Sequence, residues 1–238
     1  MLKTPTFLKK LESCYTFYMK ELLNRHLIFW KDKTIRRHLI ISSICLAISL
    51  YIIYFAIGYT DGYTNNIVPD ILLDHLPIIN ISFIFFQGAF FFFLALVGIL
   101  LYEPKYIPFV LEGSAVFCVI RAMFMSMTHL SAPVVEYYNY IQHEHHVKEV
   151  LFTLSSGNDL FFSGHAGYPF FLALIFWQFK KIRYFFLVCS VVGSVAVIFG
   201  HLHYSIDVFS AFFISFGIFE IAKKLFKKEY ELLNTNQN

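Results

Sequence analysis

Charge is what this chain has least of. Only 15% of its 238 residues are Asp, Glu, Lys or Arg, against 58% hydrophobic and 20% aromatic residues, a balance outside the range of soluble domains. Cysteine is nearly as uninformative: Cys14, Cys45, Cys118 and Cys189 show no CxxC spacing and no pairing in an exposed loop, which excludes a zinc ribbon or a disulfide framework. A cleavable signal peptide is also missing. The first long apolar run begins only at Leu39, behind a basic segment and without a small-residue cleavage site, so it is expected to stay as a span. No internal repeat and no Gly/Ser-rich linker interrupts the chain, so one domain is expected.

Long apolar runs are what the chain has instead. Leu39 to Ile57, Ile78 to Leu101, Tyr106 to Met127, Phe170 to Phe179 with the upstream FFSG, Tyr184 to Phe199 and Val208 to Ile221 each approach the roughly 20 residues of a spanning helix. The expected fold is all-α, a polytopic membrane protein with six transmembrane helices. Basic residues then set its sidedness. Lys and Arg crowd the N-terminal segment, Lys105, the Lys180–Arg183 turn and the stretch after Ile221, whereas the alternate loops 58–77, 128–160 and 200–207 hold only Lys148. The positive-inside rule places both termini in the cytoplasm and these three loops on the exoplasmic side. Residues 1–38 form a basic amphipathic tail, with Phe7, Leu8, Leu11, Tyr15, Tyr18 and Leu22 at helical spacing suited to an interfacial helix. Residues 39–222 form the membrane domain, and 223–238 a second cytoplasmic tail.

With this topology, costly polar groups from separate segments converge on one leaflet. His165 opens span four, His203 and Asp207 lie between spans five and six, and Asp70 and Asp74 precede span two. Arg121 sits within span three toward the same side; an arginine there costs roughly 2.5–3.5 kcal/mol on insertion scales, so it should face a polar cavity or an anion. Any one of these residues alone is equally well a packing residue. Their common depth makes a site.

His203 and Asp207 stand at i, i+4, so a helical start would let the carboxylate bind one ring nitrogen and leave the other free to attack. His165 can protonate a leaving oxygen and then deprotonate an incoming hydroxyl. Arg121 and the backbone donors at Ser163 and Gly164 suit phosphate oxygens. The set reads as phosphoryl transfer through a phosphohistidine, with no metal or other cofactor called for. A histidine-rich run in the third loop, His143, His145 and His146, has the composition of a metal tract, but is read as a solvated loop.

The stretches "NDLFFSGH" and "GHLHYSIDVFSAFF" resemble the two catalytic motifs of sphingomyelin synthases and related ceramide phosphotransferases, a branch of the type 2 phosphatidic acid phosphatase superfamily. Upstream, "VPDILLDHLP" and "RAMFMSMTHLSAP" are similar to that family's first conserved stretch and its arginine-led stretch, so the likeness covers roughly residues 68 to 220. The resemblance implies a triad of His165, His203 and Asp207, with Arg121, Asp159, Ser163, Gly164, Asp70 and Asp74 around the substrate. It implies a phospholipid donor and a ceramide or diacylglycerol acceptor within the membrane, no nucleic-acid partner, and is compatible with a homo-oligomer. A lipid phosphatase or phospholipase C-type hydrolase of the same superfamily is the alternative, and a non-enzymatic lipid transporter or sensor the third reading. Two departures stand out: Val197 replaces the arginine that ordinary lipid phosphatases carry six residues before the nucleophile, as in the synthase branch, and the Thr-Leu-Pro-like turn is altered to "THLSAP". The expected location is multi-pass in the bacterial inner membrane, or in the Golgi or plasma membrane of a eukaryote.

Overall fold

Asp32 breaks the N-terminal helix from the first membrane-length one. Its Oδ1 accepts hydrogen bonds from the Thr34 and Ile35 backbone N–H groups at 2.7 and 3.4 Å, capping the new helix. The first long apolar helix therefore begins ahead of Leu39. The computed structural model describes residues 4–61, 67–81, 83–128, 130–131, 133–134 and 161–234. Within them the chain forms α1 (Thr4–Lys31), α2 (Lys33–Asp61), α3 (Ala89–Tyr102), α4 (Ile107–Thr128), α5 (Gly164–Ile175), α6 (Lys180–Phe199), α7 (Ser205–Leu225) and α8 (Lys227–Asn234). No β-strand occurs among the described residues.

Among the described residues, four stretches are long and apolar enough to cross a membrane: Lys33–Thr60, Pro104–Thr128, Lys180–Phe199 and Ser205–Leu225. The sequence leads one to expect six, and the other two come out shorter. α3 has 14 residues and continues from a π-helical segment, Ile84–Gly88. α5 has 12 residues and so rises only about 18 Å, well under the roughly 30 Å hydrocarbon core of a bilayer. Its start is fixed by Ser163, whose Oγ accepts from the Ala166 N–H, and it ends in the turn after Ile175.

α4 is the central element. Its most apolar stretch is 56% buried, against 28% for those of α2 and α6 and 39% for that of α7. α2 packs along α4, while α5 is held between α6 and α7. The aromatic residues account for much of this core. Tyr106 stacks on Phe176 with ring centroids 4.7 Å apart, Phe176 stacks on Phe186, and Phe117 contacts Phe162 and Phe171. The outer faces of α2, α3 and α6 expose Ile44, Ile48, Phe55, Phe90, Leu94, Val188 and Val191, as helices facing lipid do. Between apolar helices in lipid, dispersion contacts, close backbone approach and hydrogen bonds have to supply the association.

Small residues provide that close approach. A Cβ on Gly167 would stand 2.6 Å from Ser215 Oγ and 3.3 Å from the Ala211 Cβ, so α5 and α7 touch at this point. A Cβ on Gly193 would stand 2.5 Å from the His165 carbonyl oxygen, and Ser190 Oγ donates to the Ala166 carbonyl at 2.6 Å. Together these seat α6 on the first turn of α5. Pro169, inside α5, cannot donate to the His165 carbonyl four residues back.

Gly167→Val is expected to destabilise the protein by about 1–3 kcal/mol through overpacking, read as a lowered unfolding temperature in detergent. Gly217, on the same helix as Ser215 but with nothing within 4 Å of an added Cβ, gives the contrast. Gly217→Ala should be neutral or mildly stabilising. Equal effects of the two substitutions would refute the close packing of α5 on α7.

Candidate active site

The turn between α6 and α7 carries the two residues on which the site is built. Tyr204 caps α7, and the Asp207 carboxylate reaches back over the first turn: its Oδ2 accepts from the Tyr204 N–H at 2.9 Å and lies 3.3 Å from His203 Nδ1. The same carboxylate thus closes the helix start and holds the imidazole. His203 is 3% exposed and Asp207 fully buried. With Nδ1–H directed at Asp207, Nε2 is the nitrogen left with its lone pair free of this contact.

One backbone bond joins this turn to the start of α5. The Ser163 N–H donates to the Asp207 carbonyl at 3.1 Å. Ser163 is fully buried and caps α5, and His165 lies in the first turn of that helix, with His203 and Arg121 as its electrostatic neighbours. Arg121 comes from α4, is 8% exposed, and places Nη1 3.4 Å from where a Cβ on Gly164 would stand. Two sources of positive potential, the α5 N-terminus and a guanidinium, therefore lie side by side next to both histidines.

His203 lies outside the membrane-length helices. Burial pushes its pKa below the ordinary 6.5, opposed by the hydrogen bond and charge of Asp207 and reinforced by Arg121. Asp207 Oδ1 and His201 Nε2 are buried without a hydrogen-bond partner among the described residues.

Asp70 is close to the site but turned to another task. Its Oδ2 accepts from the Ser205 N–H at 2.7 Å and its Oδ1 from the Leu72 and Leu73 N–H groups. The Val68 N–H donates to the Tyr204 hydroxyl at 3.3 Å. Asp70 thus ties the segment before α3 onto the first residue of α7. The side chain of Asp74 is exposed, one turn further on, and its backbone N–H donates to the Asp70 carbonyl. Asp159 and the histidines at 143, 145 and 146 lie outside the described residues.

Several contributors are absent from a sequence-level list of site residues. Phe85, in the π-helical segment, stacks on the His165 ring with centroids 4.4 Å apart and planes at 27°, which fixes the ring's orientation from the other side. Ser190 and Gly193 hold the backbone beneath His165. His201 adopts a φ of 49°, a conformation that costs a non-glycine residue, in the turn that delivers His203. The small residues of α6 offer a faint signal in "SVVGS"; nothing in the sequence singles out Phe85 among its neighbouring phenylalanines.

Burial raises the pKa of Asp70, but the backbone donors of Ser205, Leu73 and Leu72 and the Ser205 side chain overcome this and leave it below the ordinary 3.8. A carboxylate with a lowered folded pKa contributes stability that is present above the unfolded value and lost as pH falls through the folded one. Acid unfolding below pH 3.8 should therefore lose part of its steepness in Asp70→Asn. At neutral pH that variant should be less stable by about 1–3 kcal/mol, the cost of weakened buried hydrogen bonds. Chemical denaturation at both pH values checks this; an unchanged acid profile would show that Asp70 does not anchor α7.

No curated protein and no solved structure matches the chain. Residues 156–225, the segment that holds Ser163, His165, His203 and Asp207, match the family model described as PAP2 superfamily C-terminal.

Proposed function

We propose that the protein is an integral-membrane phosphotransferase of the sphingomyelin synthase type, moving phosphocholine or phosphoethanolamine from a glycerophospholipid to ceramide or diacylglycerol. The observation that carries this reading is the buried His203–Asp207 pair, joined through the Ser163–Asp207 backbone bond to the helix turn bearing His165. The family match over this segment supports phosphate chemistry on a lipid in general. The synthase-like motifs and Val197 favour transfer.

In the first half-reaction His203 Nε2 attacks the phosphorus of the donor. The N–P bond forms, the P–O bond to diacylglycerol breaks, and His165 gives its proton to the departing oxygen. Asp207 stabilises the positive charge that develops on the His203 ring. Arg121 and the start of α5 receive the phosphoryl oxygens. In the second half-reaction the acceptor hydroxyl attacks the phosphorus, the N–P bond breaks, and the hydroxyl proton returns to His165. In the proposed topology α3 with its π-helical lead and α5 complete six crossings, both termini are cytoplasmic, and the site opens to the exoplasmic leaflet. Asp159 and Asp74 would then flank the headgroup.

Detergent-solubilised protein mixed with phosphatidylcholine and phosphatidylethanolamine, with ceramide added or withheld, tests the reading by mass spectrometry of products. A ceramide phospholipid that forms only with ceramide and is lost in His203→Ala is the expected result. Release of diacylglycerol together with a free headgroup phosphate, regardless of ceramide, would make the protein a hydrolase, and headgroup binding without turnover a transporter or sensor.

The pH dependence follows from the lowered pKa of His203. The acid limb of kcat/KM set by protonation of His203 should lie lower than that of an ordinary imidazole. Asp207 raises that pKa, so Asp207→Asn should move the acid limb further down while cutting turnover by about a hundredfold or more. An acid limb unmoved by Asp207→Asn would remove His203 from the role of nucleophile.

A further inference from the structure

A second cluster of charge lies at the opposite end of the bundle. The site described above is at the start of α7, whereas α8 follows its end; at 1.5 Å per residue the two are roughly 30 Å apart. There, Lys33, Thr34, Arg37, His38 and Ile41 of α2 and Lys228 of α8 line a cleft of about 450 Å³.

The cations of this cleft have no carboxylate partner among the described residues. Nearby, Lys223 pairs with Glu220 and Lys227 with Glu231, whereas Lys33, Arg37 and Lys228 are exposed and make no such pair among the described residues. The nearby acids are engaged in other contacts. Glu229, 7% exposed, is bound by His38 Nδ1, a contact that also pins α8 to α2. Glu112 of α4, 2% exposed, accepts from Ser42 Oγ at 2.8 Å. Asp32, next to Lys33 in the chain, is committed to the cap of α2. What remains facing the cleft is three cations and the Thr34 hydroxyl.

We infer that this cleft binds a phosphate-bearing anion, separately from the His203 site. An Arg offers a planar fork and the lysines offer point charges, the combination that takes phosphate oxygens. The volume lies within the range of small-ligand clefts. Lys33 and Arg37 stand at the beginning of a membrane-length helix, which is headgroup depth, where a basic pocket between helices meets anionic lipid. The ligand is thus a phosphate group, carried on a lipid headgroup or free in solution.

Binding is measured on the full chain purified in detergent, by native mass spectrometry with short-chain phosphatidic acid in one arm and inorganic phosphate in the other. Every protein carries His203→Gln, so that the proposed catalytic site turns nothing over and failure of either reading leaves the other standing. Arg37→Gln and Lys228→Gln should each weaken binding by about fivefold, and Arg37→Lys should restore part of it. Lys224→Gln, the same change of charge on an exposed residue outside the cleft, should leave it unchanged. Cleft-dependent binding of the lipid alone supports a headgroup site; cleft-dependent binding in both arms supports a site for phosphate itself. Absence of binding, equal binding by all variants, or an equal loss in Lys224→Gln overturns the proposal.

Discussion

The hydrogen bond from the Ser163 N–H to the Asp207 carbonyl is the joint on which the proposed active site depends. Each partner belongs to a helix start, and each start has its own cap: Ser163 Oγ for α5, the Asp207 carboxylate for α7. Caps fix where a helix begins and in which direction its first turn points. Joining two capped starts therefore fixes His165, in the first turn of α5, relative to His203, just ahead of α7. The close approach of Gly167 to Ser215 and Ala211 carries the same register along the two helices. Because apolar helices in lipid gain little from burying more apolar surface, these backbone and small-residue contacts matter more here than they would in a water-soluble bundle.

Around that joint the polar groups divide into those that build and those left facing the site. Asp70 receives three backbone donors and is spent on holding the chain before α3 against α7. Arg121 and the N-terminus of α5 concentrate positive potential beside two imidazoles. The Phe85 ring against His165 limits rotation of that imidazole without using either of its nitrogens.

Much of this was readable in advance, and the limits have physical causes. Composition and run length gave the all-α membrane class, because burying backbone in lipid leaves few alternatives to helices. The i, i+4 spacing of His203 and Asp207 gave their pairing, since it is a local property of one turn. The side of the bundle on which Asp70 lies was legible too, but its anchoring role was not: that needed the Ser205 N–H, from a segment far along the chain. Helix lengths failed at α3 and α5 for a related reason. Hydropathy measures which residues tolerate lipid, whereas the ends are set by the Ser163 cap and by a π-helical segment that no apolar count detects. Ser190 and Gly193 escaped notice because small residues in a span signal nothing until the partner helix is known.

The burial of His203 and Asp207 bears directly on which acceptor the proposed intermediate would meet. A phosphorylated histidine is consumed by whatever hydroxyl reaches it first, and water is the most abundant one wherever it has access. His203, Asp207 and Ser163 are at most 3% exposed, and Phe162, immediately before Ser163, is fully buried. Phe162 packs on Phe117 and Phe124 of α4, so aromatic rings wall one side of the site. A lipid alcohol can partition into such surroundings with its chains, while water enters at the cost of its own hydrogen bonds. In the proposed reaction, low water access would also strengthen the hold of Arg121 on a phosphoryl group, since charge interactions grow as the local dielectric falls. Under that proposal, exclusion of water and retention of the phosphoryl group would be one property of this aromatic wall, and transfer between lipids would gain over hydrolysis from both.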